Sequence, residues 1–249
     1  MQTLKRADNE TLAYTKIEAP ANKPTLVWLS GFNSDMSGSK ALAVKDWAEA
    51  NGFGYLAFDY FGHGQSSGAF KDGTISRWRE DCLTAIDELT SGDLILIGSS
   101  MGGWMALLTA LARKDRVQGM VLIAPAPDFT EKLLWKELSG AAQEAIAHDG
   151  FWMRPTDYGE PYPITRELIS DGKTWSILDG PIDLSVPVTI LQGKMDPDVP
   201  WTHALKVQEK IVSPDCVFHL IKDGEHRLSR DEDIKRLLLE VKLMTEKVG

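Results

Sequence analysis

The tract Gly98-Ser99-Ser100-Met101-Gly102 sets a serine between two glycines at the spacing of a strand–turn–helix elbow. Such an elbow holds the hydroxyl at a sheet edge, ready to attack an acyl carbon. The same spacing recurs at Gly64-Gln65-Ser66-Ser67-Gly68, so the pattern alone decides nothing. The flanks separate the two. Leu94-Ile95-Leu96-Ile97 reads as a strand entering the first tract, and Trp104–Ala112 as an apolar helix leaving it. The second tract lies in a polar loop with neither neighbour. Ser100 is the candidate nucleophile and Ser66 a loop residue.

A serine hydroxyl attacks poorly unless a base removes its proton, and the usual base is a histidine oriented by a carboxylate. Of the five histidines, His63 lies in a glycine-rich loop, His148 in a long insertion, His203 in a helix and His219 in a strand. His226, in Asp223-Gly224-Glu225-His226, falls just past the last strand-like run, where a loop can bring it to Ser100. The order Ser, acid, His along the chain then calls for an acid after an earlier strand. Gly193-Lys194-Met195-Asp196-Pro197-Asp198-Val199-Pro200 offers two. Asp196, nearer the strand end, is favoured. Asp198 is read as supporting the turn or the next helix N-terminus, and Asp128 is a more distant alternative. Charge developing on the substrate oxygen needs fixed donors, which this architecture takes from backbone N–H groups. Those would belong to Met101, after the nucleophile, and to Phe32 in Ser30-Gly31-Phe32-Asn33-Ser34.

The elements that must position these groups alternate strand-like and helix-like. Runs at 25–30, 54–59, 93–98, 117–124, 187–192 and 216–222 are rich in Val, Ile and Leu, several of them apolar on both faces, as in parallel strands covered by helices. Residues 13–18 alternate and predict an antiparallel edge strand. Ile75, Trp78, Cys82, Ile86 and Leu89 form one helical stripe. Ser229 with Glu232 suggests a capping box for the last helix, and Pro200 suits the first turn of a helix over 201–211. Between Pro127 and Leu184 no clear strand is visible, while Phe129, Trp135, Phe151, Trp152, Tyr158, Tyr162 and Trp175 cluster there. A stretch that long needs structure of its own. The expectation is an α/β core of residues 1–126 and 185–249, with a helical cap or lid over 127–184.

Charge and composition exclude other classes. A net charge of −9, from 27 basic and 36 acidic residues, lacks the basic surface that duplex binding demands. Two cysteines, Cys82 and Cys216, cannot make a disulfide framework and read as packing residues. There is no zinc-type or phosphate-loop spacing, so no metal and no cofactor is expected. No apolar run is long enough for a bilayer span, and stable membrane insertion is not expected. The first ten residues carry acids and lack the apolar core of a secretory signal, which predicts a reducing compartment, the cytoplasm.

The loop Asp59-Tyr60-Phe61-Gly62-His63-Gly64-Gln65-Ser66 is similar to the D-x-x-G-x-G-x-S segment of α/β-hydrolases. Residues Ser30 to Ala41, Phe58-Asp59-Tyr60, Gly98 to Trp104, Gly193-Lys194-Met195-Asp196 and Val199-Pro200-Trp201 resemble, more narrowly, one subfamily. Its animal members are mitochondrial and are described as palmitoyl-protein thioesterases and acyl-glucuronide esterases. The likeness spans nearly the whole chain and is weakest across the insertion. It implies the α/β-hydrolase fold, a triad of Ser100, Asp196 and His226, and oxyanion donors at Phe32 and Met101. The expected activity is hydrolysis of esters or thioesters with an apolar acyl group, on a small molecule or an acylated protein. A peptidase or amidase on the same fold is the alternative, and a non-catalytic binding module the last. The oligomeric state is left open.

Overall fold

Strands that are apolar on both faces must be covered on both, and the computed structural model, which describes residues 2–155 and 160–248, shows how. Eight strands make the main sheet: β1 (Gln2–Lys5), β2 (Thr11–Ile17), β3 (Thr25–Leu29), β4 (Gly54–Phe58), β5 (Leu94–Ser99), β6 (Val117–Ile123), β9 (Val188–Gly193) and β10 (Cys216–Ile221). Their spatial order is β1-β2-β4-β3-β5-β6-β9-β10. The first two strands pair antiparallel, and β2 meets β4 antiparallel. Every pairing from β4 to β10 is parallel.

Alternation along β5 divides the core in two. Leu94 and Leu96 face α2 (Ile75–Leu89) and α3 (Met101–Ala112), together with Ala204 and Val207 of α6 (Trp201–Lys210). Ile95 and Ile97 face Ala41, Val44 and Ala48 of α1 (Ser39–Asn51) and Leu237, Val241 and Met244 of α7 (Asp231–Val248). The predicted stripe on α2 is the buried one: Ile75, Trp78, Cys82 and Ile86 are fully enclosed. Each large apolar side chain removed from water there contributes about 1.5–3 kcal/mol.

Four expectations need correction. Residues 13–17 of the expected edge strand belong to β2, which is not an edge, because β1 pairs along its outer side; four residues with mixed burial carry too little pattern to announce a strand. The stretch expected to lack strands contains β7 (Phe151–Arg154) and β8 (Tyr162–Thr165), paired antiparallel as a separate ribbon. These too are short, and Pro163 within β8 argues against a strand except at an edge. Around them lie a π-helical turn (Thr130–Trp135), α4 (Gly140–Asp149) and α5 (Arg166–Thr174). Ser229 does not cap α7. The helix starts two residues later, and the Ser229 hydroxyl donates to the Arg227 carbonyl at 3.0 Å. Finally, Pro200 stands at the N-cap of α6 rather than inside its first turn.

Candidate active site

In a parallel sheet, ligands gather at the carboxyl ends of the strands, and the candidate residues all leave from that edge. β5 runs straight into α3, with Ser100 between them at φ 57°, ψ −119°. That left-handed backbone is costly for a residue with a Cβ and persists only where its surroundings impose it. Here they do. The Ser100 N–H donates to the Ile123 carbonyl of β6 at 2.8 Å, and its own carbonyl accepts from Gly103 and Ala126. α3 departs so close to the end of β3 that a Cβ on Gly102 would sit 2.0 Å from the Leu29 carbonyl oxygen. The second glycine of the tract is a requirement of this crossing.

The loop after β9 carries Asp196, whose carboxylate is wholly enclosed. Its Oδ1 accepts the N–H groups of Asp198 and Val199 at 2.9 and 2.8 Å. Its Oδ2 faces His226 Nδ1 at 2.8 Å. A carboxylate can only accept, so Nδ1 carries the hydrogen and Nε2 of the neutral ring is left as an acceptor. That nitrogen lies 3.1 Å from Ser100 Oγ. Three side chains separated by 96 and 30 positions thus form one hydrogen-bonded line. Asp198, the weighed alternative, uses its backbone N–H to hold Asp196, and its side chain is exposed. Asp128 is occupied elsewhere: its carboxylate accepts from the N–H groups of Ile177 and Leu178 and pins the end of the insertion.

The loop after β3 closes the other side. A Cβ on Gly31 would lie 3.4 Å from Ser100 Cβ, so the backbone of Gly31 and Phe32 runs beside the serine. Among the described residues the N–H groups of Phe32 and Met101 donate to no acceptor. The loop is held from behind. Asn33 N–H donates to His63 Nε2 at 3.2 Å, and His63 Nδ1 faces the Phe61 carbonyl at 3.1 Å. Met36 N–H donates to Asp59 Oδ1 at 2.8 Å, while Asp59 Oδ2 takes the N–H of Gln65. Burial pushes His63 down to about 4, keeping its ring neutral and able to accept. Burial likewise raises the Asp59 carboxyl, and its two N–H donors partly offset this.

The Phe32 ring meets Phe70, Trp78, Phe129 and Tyr162, with centroids 5.0–5.7 Å apart. Of the aromatics clustered in the insertion, Phe129 and Tyr162 therefore stand on this loop, and Trp135 and Trp152 pack in a small core beside it. Phe151 is exposed, and Trp175 turns away to Ser76 and Arg79. Tyr158 falls outside the described residues.

The other histidines are placed apart from Ser100: His203 faces the Pro127 carbonyl, His148 the neighbouring Asp149, and His219 the carboxylate of Glu240. Ser66 binds the backbone of Asp59 and Ala13. Cys82 is fully buried and its thiol is pushed up by desolvation, which leaves it unreactive. Sequence reading missed Gln192, at the end of β9. Its amide Nε2 donates to Asp196 Oδ2, to the Gly193 carbonyl and to the Val199 carbonyl, at 3.0–3.1 Å. A glutamine closing the apolar run Val188-Thr189-Ile190-Leu191 was the available signal, since a buried amide must find partners. Among the described residues one group has metal-ligand donors close together, Asp196, Asp198 and His226, each offering an atom within 4.8 Å of the others. Two of these already bond each other, and Asp196 Oδ1 is saturated by N–H donors.

A family model described as "Serine aminopeptidase, S33" matches residues 20–167. Mitochondrial palmitoyl-protein thioesterase ABHD10 of Bos taurus is 33% identical over 248 residues, covering 99% of this chain and 80% of that protein. The chain belongs to the α/β-hydrolase family that contains ABHD10. Among solved structures, the mouse α/β-hydrolase domain-containing protein 10 is similar with TM-score 0.91 and 33% identity, over 100% of this chain and 99% of that one. A putative hydrolase from Agrobacterium vitis S4 gives TM-score 0.93 at 43% identity, over 98% and 97% of the two chains. This hydrolase is an enzyme of the serine type, and the binding-module alternative falls. The cytoplasmic expectation falls too, because the mammalian relatives are named as mitochondrial. A compartment is addressed by segments separate from the folded domain, so a reading of the domain's composition and first residues does not bear on it. No helix among the described residues is long and apolar enough to cross a membrane.

Proposed function

We propose that this hydrolase is a serine carboxylesterase or thioesterase acting on apolar acyl groups. The observation that carries the reading is His226, bridging Ser100 Oγ at 3.1 Å and the enclosed Asp196 carboxylate at 2.8 Å. Ser100 Oγ attacks the acyl carbon as its proton passes to His226 Nε2. Asp196 holds the ring in the productive tautomer and stabilises the imidazolium. The carbonyl oxygen becomes an oxyanion, which the N–H groups of Phe32 and Met101 receive. Collapse expels the alcohol or thiol, protonated by His226, and leaves Ser100 acylated. Water, deprotonated by the same imidazole, then releases the acid and restores the serine.

Residues 127–184 act as a cap in this reading, with Phe129 and Tyr162 standing on Phe32 as the apolar wall for the acyl chain. Such a wall gains chiefly by burying nonpolar area. The thioesterase name of the relatives at 33% identity supports thioesters, including S-acylated proteins, among the substrates. A peptidase or amidase is the second reading, favoured by the description of the matching family model.

The test is turnover of p-nitrophenyl esters of rising chain length beside S-acyl peptides and an aminoacyl anilide. Esters and thioesters are expected to turn over, fastest with longer acyl chains, and the anilide to lag far behind. Anilide turnover rivalling that of the esters would transfer the assignment to amide bonds.

A further inference from the structure

His226 sits in the loop between β10 and α7, residues 222–230, which has no regular structure. Its ring has to span Ser100 and Asp196, so the loop must be fixed on both sides of it. On the near side, Met195 N–H donates to the Gly224 carbonyl at 2.9 Å, and a Cβ on Gly193 would stand 2.4 Å from that same oxygen. These contacts tie the histidine loop to the loop that carries Asp196.

On the far side the tie comes from a distant element. Lys40, the second residue of α1, donates from Nζ to the carbonyl oxygen of Arg227, next to His226. The same Nζ lies 3.2 Å from Ser229 Oγ, and that hydroxyl donates to the Arg227 carbonyl as well. One ammonium thus bridges a backbone oxygen and a side-chain oxygen of the loop, 187 and 189 positions along the chain. The following residue, Leu228, is buried with φ at 44°, a backbone bend that needs outside support.

A half-buried lysine gives up part of its hydration, and lysines that do so usually meet a carboxylate. Among the described residues Lys40 makes no ion pair; its direct partners are the loop's carbonyl and hydroxyl. Burial pushes the amine down to about 8, the Arg227 charge adds to the fall, and Asp233 opposes it. The desolvated charge is therefore directed at the loop backbone. We infer that Lys40 is a positioning residue that holds His226 in register with Ser100 and Asp196. The tract from Ser30 to Ala41 then serves the site at both ends, with the Phe32 N–H on the oxyanion and Lys40 behind the base. The role rests on the function proposed above.

The experiment is steady-state hydrolysis of p-nitrophenyl butyrate by wild type, Lys40→Met, Lys40→Arg and Ser100→Ala, with melting temperature measured for each. Active fractions of wild type and the two Lys40 variants are counted by titration with a fluorophosphonate. Methionine keeps the stem and removes the donor. We expect kcat of Lys40→Met to fall about 10- to 100-fold, the scale of a misplaced catalytic group, with KM within about threefold. Lys40→Arg, which still reaches the carbonyl with an N–H, recovers most of the loss. A merely structural lysine would lower the melting temperature and leave kcat per active site unchanged. A folded Lys40→Met with kcat within about twofold of wild type overturns the inference. Should that variant not fold, Lys40→Gln, with less reach and no charge, takes its place under the same criterion. A wild type no faster than Ser100→Ala would instead sink the hydrolase mechanism itself, and the role of Lys40 with it.

Discussion

Two segments of the chain share the spacing Gly-x-Ser-x-Gly, and the structure gives them opposite work. In the segment 98–102 the serine is a junction: strand on one side, helix on the other, backbone forced to φ 57°, hydroxyl free to face His226. In the segment 64–68 the serine is a fastener. Ser66 Oγ donates to the Asp59 carbonyl at 2.6 Å and accepts from Ala13 N–H at 2.9 Å. Its neighbours Asp59 and His63 hold the loop that carries Phe32. A reactive hydroxyl needs an acceptor that can keep its proton; a hydroxyl donating to an amide carbonyl has none. The lesson is that the motif's chemistry comes from its flanking elements.

The sharpest way to break this contrast is paired substitution. Ser100→Ala is expected to lower kcat toward esters by about 10⁴-fold or more, because removal of a nucleophile leaves only binding and oxyanion stabilisation. Ser66→Ala should stay within about threefold of wild type, since that hydroxyl acts only through the loop. Comparable losses in the two variants, measured on protein of equal folded fraction, would erase the distinction.

Close packing at the first segment gives the next largest effect. Gly102→Ala forces a Cβ to 2.0 Å from the Leu29 carbonyl oxygen, and neither the strand nor the helix start can yield without moving Ser100. A loss of about 3 kcal/mol in urea unfolding is expected, together with loss of ester turnover. A stable, active Gly102→Ala would show that the crossing is looser than this geometry.

What could be read from the sequence follows the same divide between pattern and context. The buried parallel strands were visible because two-sided apolar runs have few other uses, and the order Ser100, Asp196, His226 followed from where those runs end. The structure brings these three together. β1, β7 and β8 were not visible, being four residues long and shaped by tertiary pairing more than by their own pattern. The capping box at Ser229 misled because a hydroxyl can take several partners, and here the Arg227 carbonyl two residues away and Lys40, remote in sequence, are the ones it takes. Gln192 and His63 were hidden for a related reason. Each acts through the hydrogen bonds of one side chain, Gln192 to Asp196 and its loop and His63 to Asn33 and Phe61, and single residues carry no periodicity.

His63 sharpens the contrast through pH. Its folded-state value is depressed to about 4 by burial, against about 6.5 in an open chain. Above pH 6.5 both states are neutral at this ring. As pH falls from there, the unfolded chain takes up a proton that the folded one refuses, so stability declines until about pH 4. The group accounts for roughly 3 kcal/mol across that window. Urea titrations at pH 7, 6, 5 and 4 should show His63→Gln losing less stability on acidification than wild type, by about that amount. Parallel pH profiles would mean that His63 charges within the folded loop.

The smallest effect isolates the fastener alone. Ser66→Ala removes one hydrogen bond to the Asp59 carbonyl and leaves the Ala13 N–H without its partner. Both groups lie where the loop meets β2, so water can reach only part of the vacated space, and the net cost should be about 1–2 kcal/mol. Because Asp59 and His63 would still grip Met36 and Asn33, the backbone beside Ser100 should keep its place and kcat should hold. A change in kcat larger than the change in stability would mean that the second segment transmits its geometry to the oxyanion loop through Ser66, and the two segments would then have to be treated as one device.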